Sequence, residues 1–404
     1  MSQPLISRSH DLARLRYEGY DVAIVAGHLV VDQVPYLDSN AHVRRGTLVS
    51  VLDLNGDQTV APESHVVYFR GDHPCDASGQ PLAGTVIKQR HRELANGLEV
   101  DLELSRRPPG GYPDYYAKMT AYVEILGLHV PTVDPVATAK IHPVISGDPG
   151  ESPFAYLDTA SSRTGIAAIS SRAEGMRIAI PGLGGTGSYI LDFIAKCPVS
   201  EIHLYDGDVL LQHNAFRSPG ALGIEELQVA GNKAEHFARI YRQIHQGVVA
   251  HPYAIDEENC SELTMMDFVF VAVDDNTSRA DIVNFLKDSG VPCIDVGIGI
   301  QQRPRERGEV LGGSVRTTLV DNDPCRDYTI RIPSGGQDLQ NEYTTNIQIA
   351  ELNAINAALA VIRWKRHIGI YDDLVQERHS VYDIDGNFIT NDDRVENSNE
   401  PFKD

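Results

Sequence analysis

MRIAIPGLGGTGS, spanning Met176 to Ser188, joins a short apolar run to four closely spaced glycines. Met176 to Pro181 has the length and apolarity of a buried strand. Gly187 to Lys196 can form a helix. The intervening Gly182-Leu183-Gly184-Gly185-Thr186-Gly187 satisfies G-x-G-x-x-G. Glycines let a backbone approach phosphate oxygens without a Cβ clash. The free N–H groups that open the following helix add donors and a favourable dipole. Asp206 lies nineteen residues after Gly187, where a ribose-binding acid is expected. A tight turn without a ligand is the plain alternative, and on this motif alone NAD and ATP serve equally well.

Outward from that stretch the pattern alternates. Glu201 to Tyr205 (EIHLY) reads as a second strand, and Asn232 to Gln246 as a helix with Ala234, Phe237, Ile240, Tyr241 and Ile244 on one face. Phe268 to Val273 (FVFVAV) is wholly apolar, as a strand inside a parallel sheet should be. A helix over Arg279 to Asp288 and a strand over Val291 to Val296 follow. The alternation predicts an α/β, Rossmann-like, doubly wound domain. Gly308 to Val320 then switches to antiparallel pairing. Asn346 to His367 reads as a long helix with Ile347, Ala350, Ala354, Ala358 and Ile362 on one stripe, stopped by Gly369.

Residues 1–145 read as a separate β-rich α+β domain. Strands are predicted on either side of Ala26-Gly27, at Gly46 to Leu54 and at His65 to Phe69, with a helical period over Tyr116 to Leu126. Pro143 to Pro153 carries two glycines and three prolines, which predicts a linker over 146–160. The α/β domain is then 161–387 and an acidic tail 388–404. The net charge of −21 opposes nucleic-acid binding, which needs cations to displace counterions from phosphates. With no 18-residue apolar run and no signal-peptide core, a cytoplasmic protein is expected.

Further residues distinguish the cofactors. After the second strand come Asp206-Gly207-Asp208-Val209 and Asn214-Ala215-Phe216-Arg217. Lys233 opens the next helix, and the apolar strand ends in Asp274-Asp275-Asn276, with Arg279 one turn on. A nucleotidyl-transfer site needs a carboxylate to hold Mg²⁺ on phosphates and cations to stabilise charge on the α-phosphate and pyrophosphate. A dehydrogenase has no general need for this set.

This succession resembles the ThiF/MoeB-like, ubiquitin-activating superfamily over residues 160–365. The resemblance implies ATP-dependent adenylation of the C-terminal carboxylate of a ubiquitin-like or sulfur-carrier protein, with release of pyrophosphate. It implies that Gly182, Gly184, Gly185, Gly187, Asp208, Asn214, Arg217 and Lys233 bind ATP. Asp206 would take the ribose hydroxyls and Asp275 would hold Mg²⁺. Arg163, with Arg172 as its rival, is the candidate for an arginine lent by an N-terminal segment, frequently across a homodimer interface. A Gly-Gly tail would pass under a crossover loop at residues 298–345. The first domain resembles those fused to ThiF modules in bacterial operons for ubiquitin-like proteins, which implies a partner-docking or degenerate conjugating role.

The chain departs from that pattern in places. Gln is replaced by Ser218 after Asn214-x-x-Arg217, and no C-x-x-C pair is present, so no zinc is expected. Transfer to a cysteine thioester needs an exposed, low-pKa thiol. Cys325, in a polar loop beside Arg326, is the first candidate and Cys75 the second, while Cys293 reads as buried strand. A downstream conjugating or acceptor protein could take the acyl group instead. An NAD-dependent Rossmann oxidoreductase and a non-catalytic adaptor for a ubiquitin-like protein are the alternative readings.

Overall fold

The computed structural model describes residues 2–391 apart from 96, 148–149, 151, 230, 324–327 and 334–346. The described chain divides into two compact units at residue 145/146.

Unit 1 opens with helices α1 (Ser2–Arg8) and α2 (His10–Tyr17), which the sequence reading did not predict. Strands β1 (Asp21–Val25), β2 (His28–Leu37) and β3 (Val43–Val51) follow. A small hairpin, β4 (Leu54–Asn55) and β5 (Gln58–Thr59), precedes β6 (Val66–Arg70), β7 (Val86–Ala95) and β8 (Leu98–Ser105). The main sheet is antiparallel, in the order β1-β2-β3-β6-β8-β7. Alternation along β8 turns Val100, Leu102 and Leu104 inward. Helix α3 (Tyr115–Gly127) is N-capped by Asp114, whose carboxylate accepts from Ala117 N–H. Its Tyr115, Met119 and Tyr122 share one core with Leu12, Leu15, Leu48 and Phe69.

Unit 2 contains the short helices α4 (Thr159–Thr164) and α5 (Ala167–Ser170), then β9 (Arg177–Pro181), α6 (Gly185–Ile194) and β10 (Glu201–Tyr205). Next come α7 (Ile224–Gln228), α8 (Lys233–Tyr241), β11 (Val248–His251), β12 (Phe268–Val271) and α9 (Asn276–Ser289). The last elements are β13 (Cys293–Arg305), β14 (Gly308–Val320), α10 (Ala350–His367), β15 (His379–Asp383) and β16 (Phe388–Thr390). The sheet order is β11-β10-β9-β12-β13-β14-β15-β16. Its first five strands are parallel and its last three join antiparallel. This is the Rossmann-like α/β domain predicted above. The first strand, β9, lies between β10 and β12, so chain order reverses there. Ligands bind at that switch point in such sheets.

Several expectations need correction. The stretch taken as a linker belongs to unit 2: Ser146 bridges Tyr156, and Phe154 is buried edge-on against His245. Of the stretch 298–345 expected as a crossover loop, residues 298–305 and 308–320 are paired strand, with Ile298 opposite Val315 and Gly299 opposite Ser314, while 324–327 and 334–345 lie outside the described residues. The tail's first residues extend the sheet, Val381 pairing with Thr390. Helix α8 ends at Tyr241, short of Gln246, and the imidazole of His245 bonds the carbonyl of Val199. The buried residues of α10 are Leu352, Asn353, Asn356, Ala357, Ala360, Val361, Arg363 and Trp364, while Ile362 is exposed. A helix so rich in alanine has little amphipathic contrast, and its two buried asparagines weight the apparent apolar stripe to the wrong side.

Candidate functional site

The glycine loop leaves β9 at the carboxyl edge of the sheet. Gly182 has φ +89, and a Cβ there would stand 2.6 Å from the Ala272 carbonyl oxygen. A Cβ on Gly187 would come within 1.9 Å of the Gly182 carbonyl oxygen. These glycines close the loop onto itself and onto β12. At Gly184, by contrast, a Cβ would meet nothing within 4 Å. That position faces an open cleft of about 850 Å³.

The cleft gathers Gly182, Gly184, Gly185, Asp206, Asp208, Asn214, Arg217, Lys233 and Asp275. Gly187 sits beneath it, inside the first turn of α6. The carboxylate of Asp206 accepts from Leu183 N–H at 2.7 Å and from Asp208 N–H at 2.9 Å. It thereby ties the glycine loop to the end of β10. Burial pushes its carboxyl above the ordinary range, with Lys233 and the two N–H donors opposing. Lys233, the first residue of α8, puts Nζ 2.6 Å from Asp208 Oδ2 and 3.7 Å from Asp206 Oδ1. Those carboxylates offset the unfavourable placement of a cation at a helix N-terminus. Asp208 therefore pairs with Lys233.

Asn214 is buried, and its Oδ1 accepts from Leu211 N–H at 2.8 Å. Arg217 lines the same wall, and its buried Nε has no hydrogen-bond partner among the described residues. A buried guanidinium donor left unpaired is costly unless a ligand satisfies it. Asp275 is exposed and N-caps α9, accepting from Ser278 N–H at 2.7 Å. That bond holds its carboxyl below the usual range. Among the described residues no three His, Cys, Asp or Glu side chains converge. Mg²⁺ does not require them, since it commonly takes one or two carboxylates together with phosphate oxygens and water.

The remaining candidates lie elsewhere. Arg163 is in α4, with its side chain outside the described residues, and Arg172 is exposed in a single 3₁₀ turn. Cys325 also lies outside the described residues. Cys75 is buried in unit 1, where burial raises its thiol pKa and its Sγ sits 3.2 Å from the His73 carbonyl oxygen. A masked, protonated thiol is a poor nucleophile. Cys293 is buried in β13.

The ThiF family matches residues 164–361. Unit 2 carries a ThiF-family domain. A domain of unknown function, DUF6791, matches residues 10–159. No curated protein matches the chain. Among solved structures it is similar to E. coli MccB with ATP, at 17% identity over 56% of this chain and 66% of that one, TM-score 0.44. It is similar to the microcin C7 biosynthetic enzyme MccB in complex with N-formylated MccA, at 17% over 56% and 67%, TM-score 0.42. It is also similar to PaaA, at 15% over 55% and 74%, TM-score 0.43. The chain thus spans just under two thirds of the first of these.

Three polar groups of the ThiF domain escaped the sequence reading. Asn353, fully buried on α10, accepts from Thr186 Oγ1 at 3.0 Å and reaches the Arg217 carbonyl oxygen at 3.4 Å. It couples the glycine-loop helix to the arginine wall. Asn356, also fully buried, donates to the Gly297 carbonyl at 3.2 Å. Two asparagines three residues apart in an alanine-rich helix are the signal that was available. The third is the fully buried carboxylate of Asp295 in β13. An acid within an apolar strand run was its signal.

Proposed function

We propose that this protein uses ATP to adenylate a carboxylate, and that the carboxylate is the C-terminus of a ubiquitin-like or sulfur-carrier protein. The carrying observation is the single cleft at the sheet's switch point. It holds an open glycine face, a tied acid, the cations Arg217 and Lys233 and an exposed capping carboxylate together. Adenine and ribose lie toward Tyr205 and Asp206, and the triphosphate lies over Gly184 toward Asn214, Arg217 and Lys233. The unpaired Nε of Arg217 finds its acceptor on a phosphate oxygen. Asp275 holds Mg²⁺, which neutralises phosphate charge when bound.

A carboxylate oxygen attacks the α-phosphorus in line while the bond to the bridging oxygen of pyrophosphate breaks. The developing negative charge falls among Arg217 and Lys233, fixed before the reaction begins. Acyl-adenylate and pyrophosphate are the products. A downstream protein or a thiol then takes the acyl group. The working unit is a homodimer, with Arg163 or Arg172 offered to the neighbouring copy.

Exchange of labelled pyrophosphate into ATP, driven by a carrier with a free Gly-Gly terminus, tests this reading. Exchange should disappear when that terminus is amidated. Equal exchange with the amidated carrier would mean that no carboxylate is activated.

A further inference from the structure

In the cleft wall at β12–β14 lies a buried charge cluster. Asp295 is 0% exposed and sits between two arginines. Arg279 Nε lies 3.2 Å from its Oδ1 and Arg316 Nη1 lies 2.7 Å from its Oδ2. These are ion pairs by distance, without the alignment of good hydrogen bonds. Two guanidiniums against one carboxylate leave one positive charge uncompensated, and burial of a charge is tolerated only with a counter-charge.

The two arginines are not equivalent. Arg279 is occupied on all three nitrogens: Nη1 donates to Asn276 Oδ1 and Nη2 to the Val273 carbonyl, each at 2.6 Å, and Nε faces Asp295. Among the described residues Arg316 is held through Nη1, by Asp295 and by Thr318 Oγ1 at 3.0 Å. Its side chain is 15% exposed and lines the cleft. Gly297 is directly opposite it across the β13–β14 ladder. A Cβ on Gly297 would lie 2.7 Å from Arg316 Nη2, so the missing side chain is what gives the guanidinium its place. Among the described residues the cleft wall along these strands runs from Val296 to Gln301 and includes Ser314 and Arg316, with no carboxylate.

Position selects the ligand. Arg316 is on β14, three strands from the glycine loop on β9, but its guanidinium reaches back over β13 beside Asp295 and Gly297, two strand spacings or about 10 Å from the loop. The nucleotide residues Asp206, Asn214, Arg217 and Lys233 follow β10 in the chain, with Lys233 held against Asp206 and Asp208. With the triphosphate over Gly184 toward Asn214, Arg217 and Lys233, the anion that enters along β13–β14 to meet the α-phosphorus is the attacking partner. We propose that Arg316, positioned by Asp295 and Gly297, recognises the free carboxylate at the end of the substrate chain. A planar guanidinium suits a carboxylate better than an ammonium does.

This inference rests on the adenylating reading, and the test separates the two. The full chain, saturated with Mg²⁺ and a non-hydrolysable ATP analogue, is titrated calorimetrically with a synthetic peptide ending in Gly-Gly, as free acid and as amide. The acid should bind at least about tenfold more tightly than the amide, as expected when a charge-assisted hydrogen bond worth about 1.5–3 kcal/mol is lost. Arg316→Ala should reduce that preference to about twofold or less while analogue affinity stays within about twofold. Gly297→Ala, which keeps the arginine but crowds its guanidinium, should reduce the preference as well. Three results overturn the inference: an acid that binds no better than the amide or not at all, a tenfold preference that survives Arg316→Ala, or loss of analogue binding in that variant. Wild-type protein that fails to bind the analogue defeats the adenylating reading itself and takes this inference with it.

Discussion

Gly184 and Gly187 differ by three positions and should fail in different ways. Gly187→Ala drives a methyl group into the Gly182 carbonyl, where a Cβ would be 1.9 Å away. It should destabilise unit 2 by about 1–3 kcal/mol, the usual cost of overpacking, seen as a lower Tm. Gly184→Ala meets only open cleft, so Tm should hold while ATP affinity falls at least tenfold, because the methyl stands where phosphate must approach. Equal loss of stability in both variants would mean that Gly184 serves the fold and not a ligand. Arg217→Ala and Asp275→Ala should each lower pyrophosphate exchange by about a hundredfold or more, the scale of removing one preorganised group from a charged transition state. At this scale the sequence was informative where motif spacing carried the chemistry, and the charged landmarks do share one cleft. It was silent where polarity is buried by packing. Asp295 lies in an apolar run, and its partners Arg279 and Arg316 are 16 and 21 positions away in sequence.

Element by element, the parallel strands were legible because a strand buried on both faces is a continuous apolar run. Helix α10 was legible in extent but not in orientation, since alanine marks no face. That makes Asn353 the residue to test. Asn353→Leu removes the acceptor of the Thr186 hydroxyl and crowds Gly185, where a Cβ would already lie 2.0 Å from Asn353 Nδ2. A loss of about 1–3 kcal/mol is expected, or several degrees in Tm for a unit of this size. In unit 1, α3 carries Lys118, which is 1% exposed and donates to Ser50 Oγ and the Ser64 carbonyl. Burial lowers its pKa from 10.5 to about 8. Between those values the unfolded chain binds the proton and the folded chain does not, so this group's contribution to stability rises with pH across that window. Urea unfolding at pH 8 and pH 10 should show that rise in the wild type. It should be missing in Lys118→Met, and a rise of the same size in the variant would assign it to another group.

For the whole molecule, the described chain divides at residue 145/146, and the prolines and glycines there disguised the packing of Phe154 within unit 2. Helices α1 and α2 were missed because their buried Ile6, Leu12 and Leu15 are too few to set a period. Among the described residues no helix is long and apolar enough to cross a membrane. The central claim concerns which nucleotide the switch-point cleft takes. Thermal unfolding of the full chain with ATP and Mg²⁺, with ATP and EDTA, and with NAD tests it most directly, for wild type and Asp275→Ala. A ligand at a hundred times its Kd adds about 2.7 kcal/mol. The account predicts a clear rise in Tm with ATP and Mg²⁺, a smaller one in EDTA and in the variant, and none with NAD. A rise with NAD alone would contradict it.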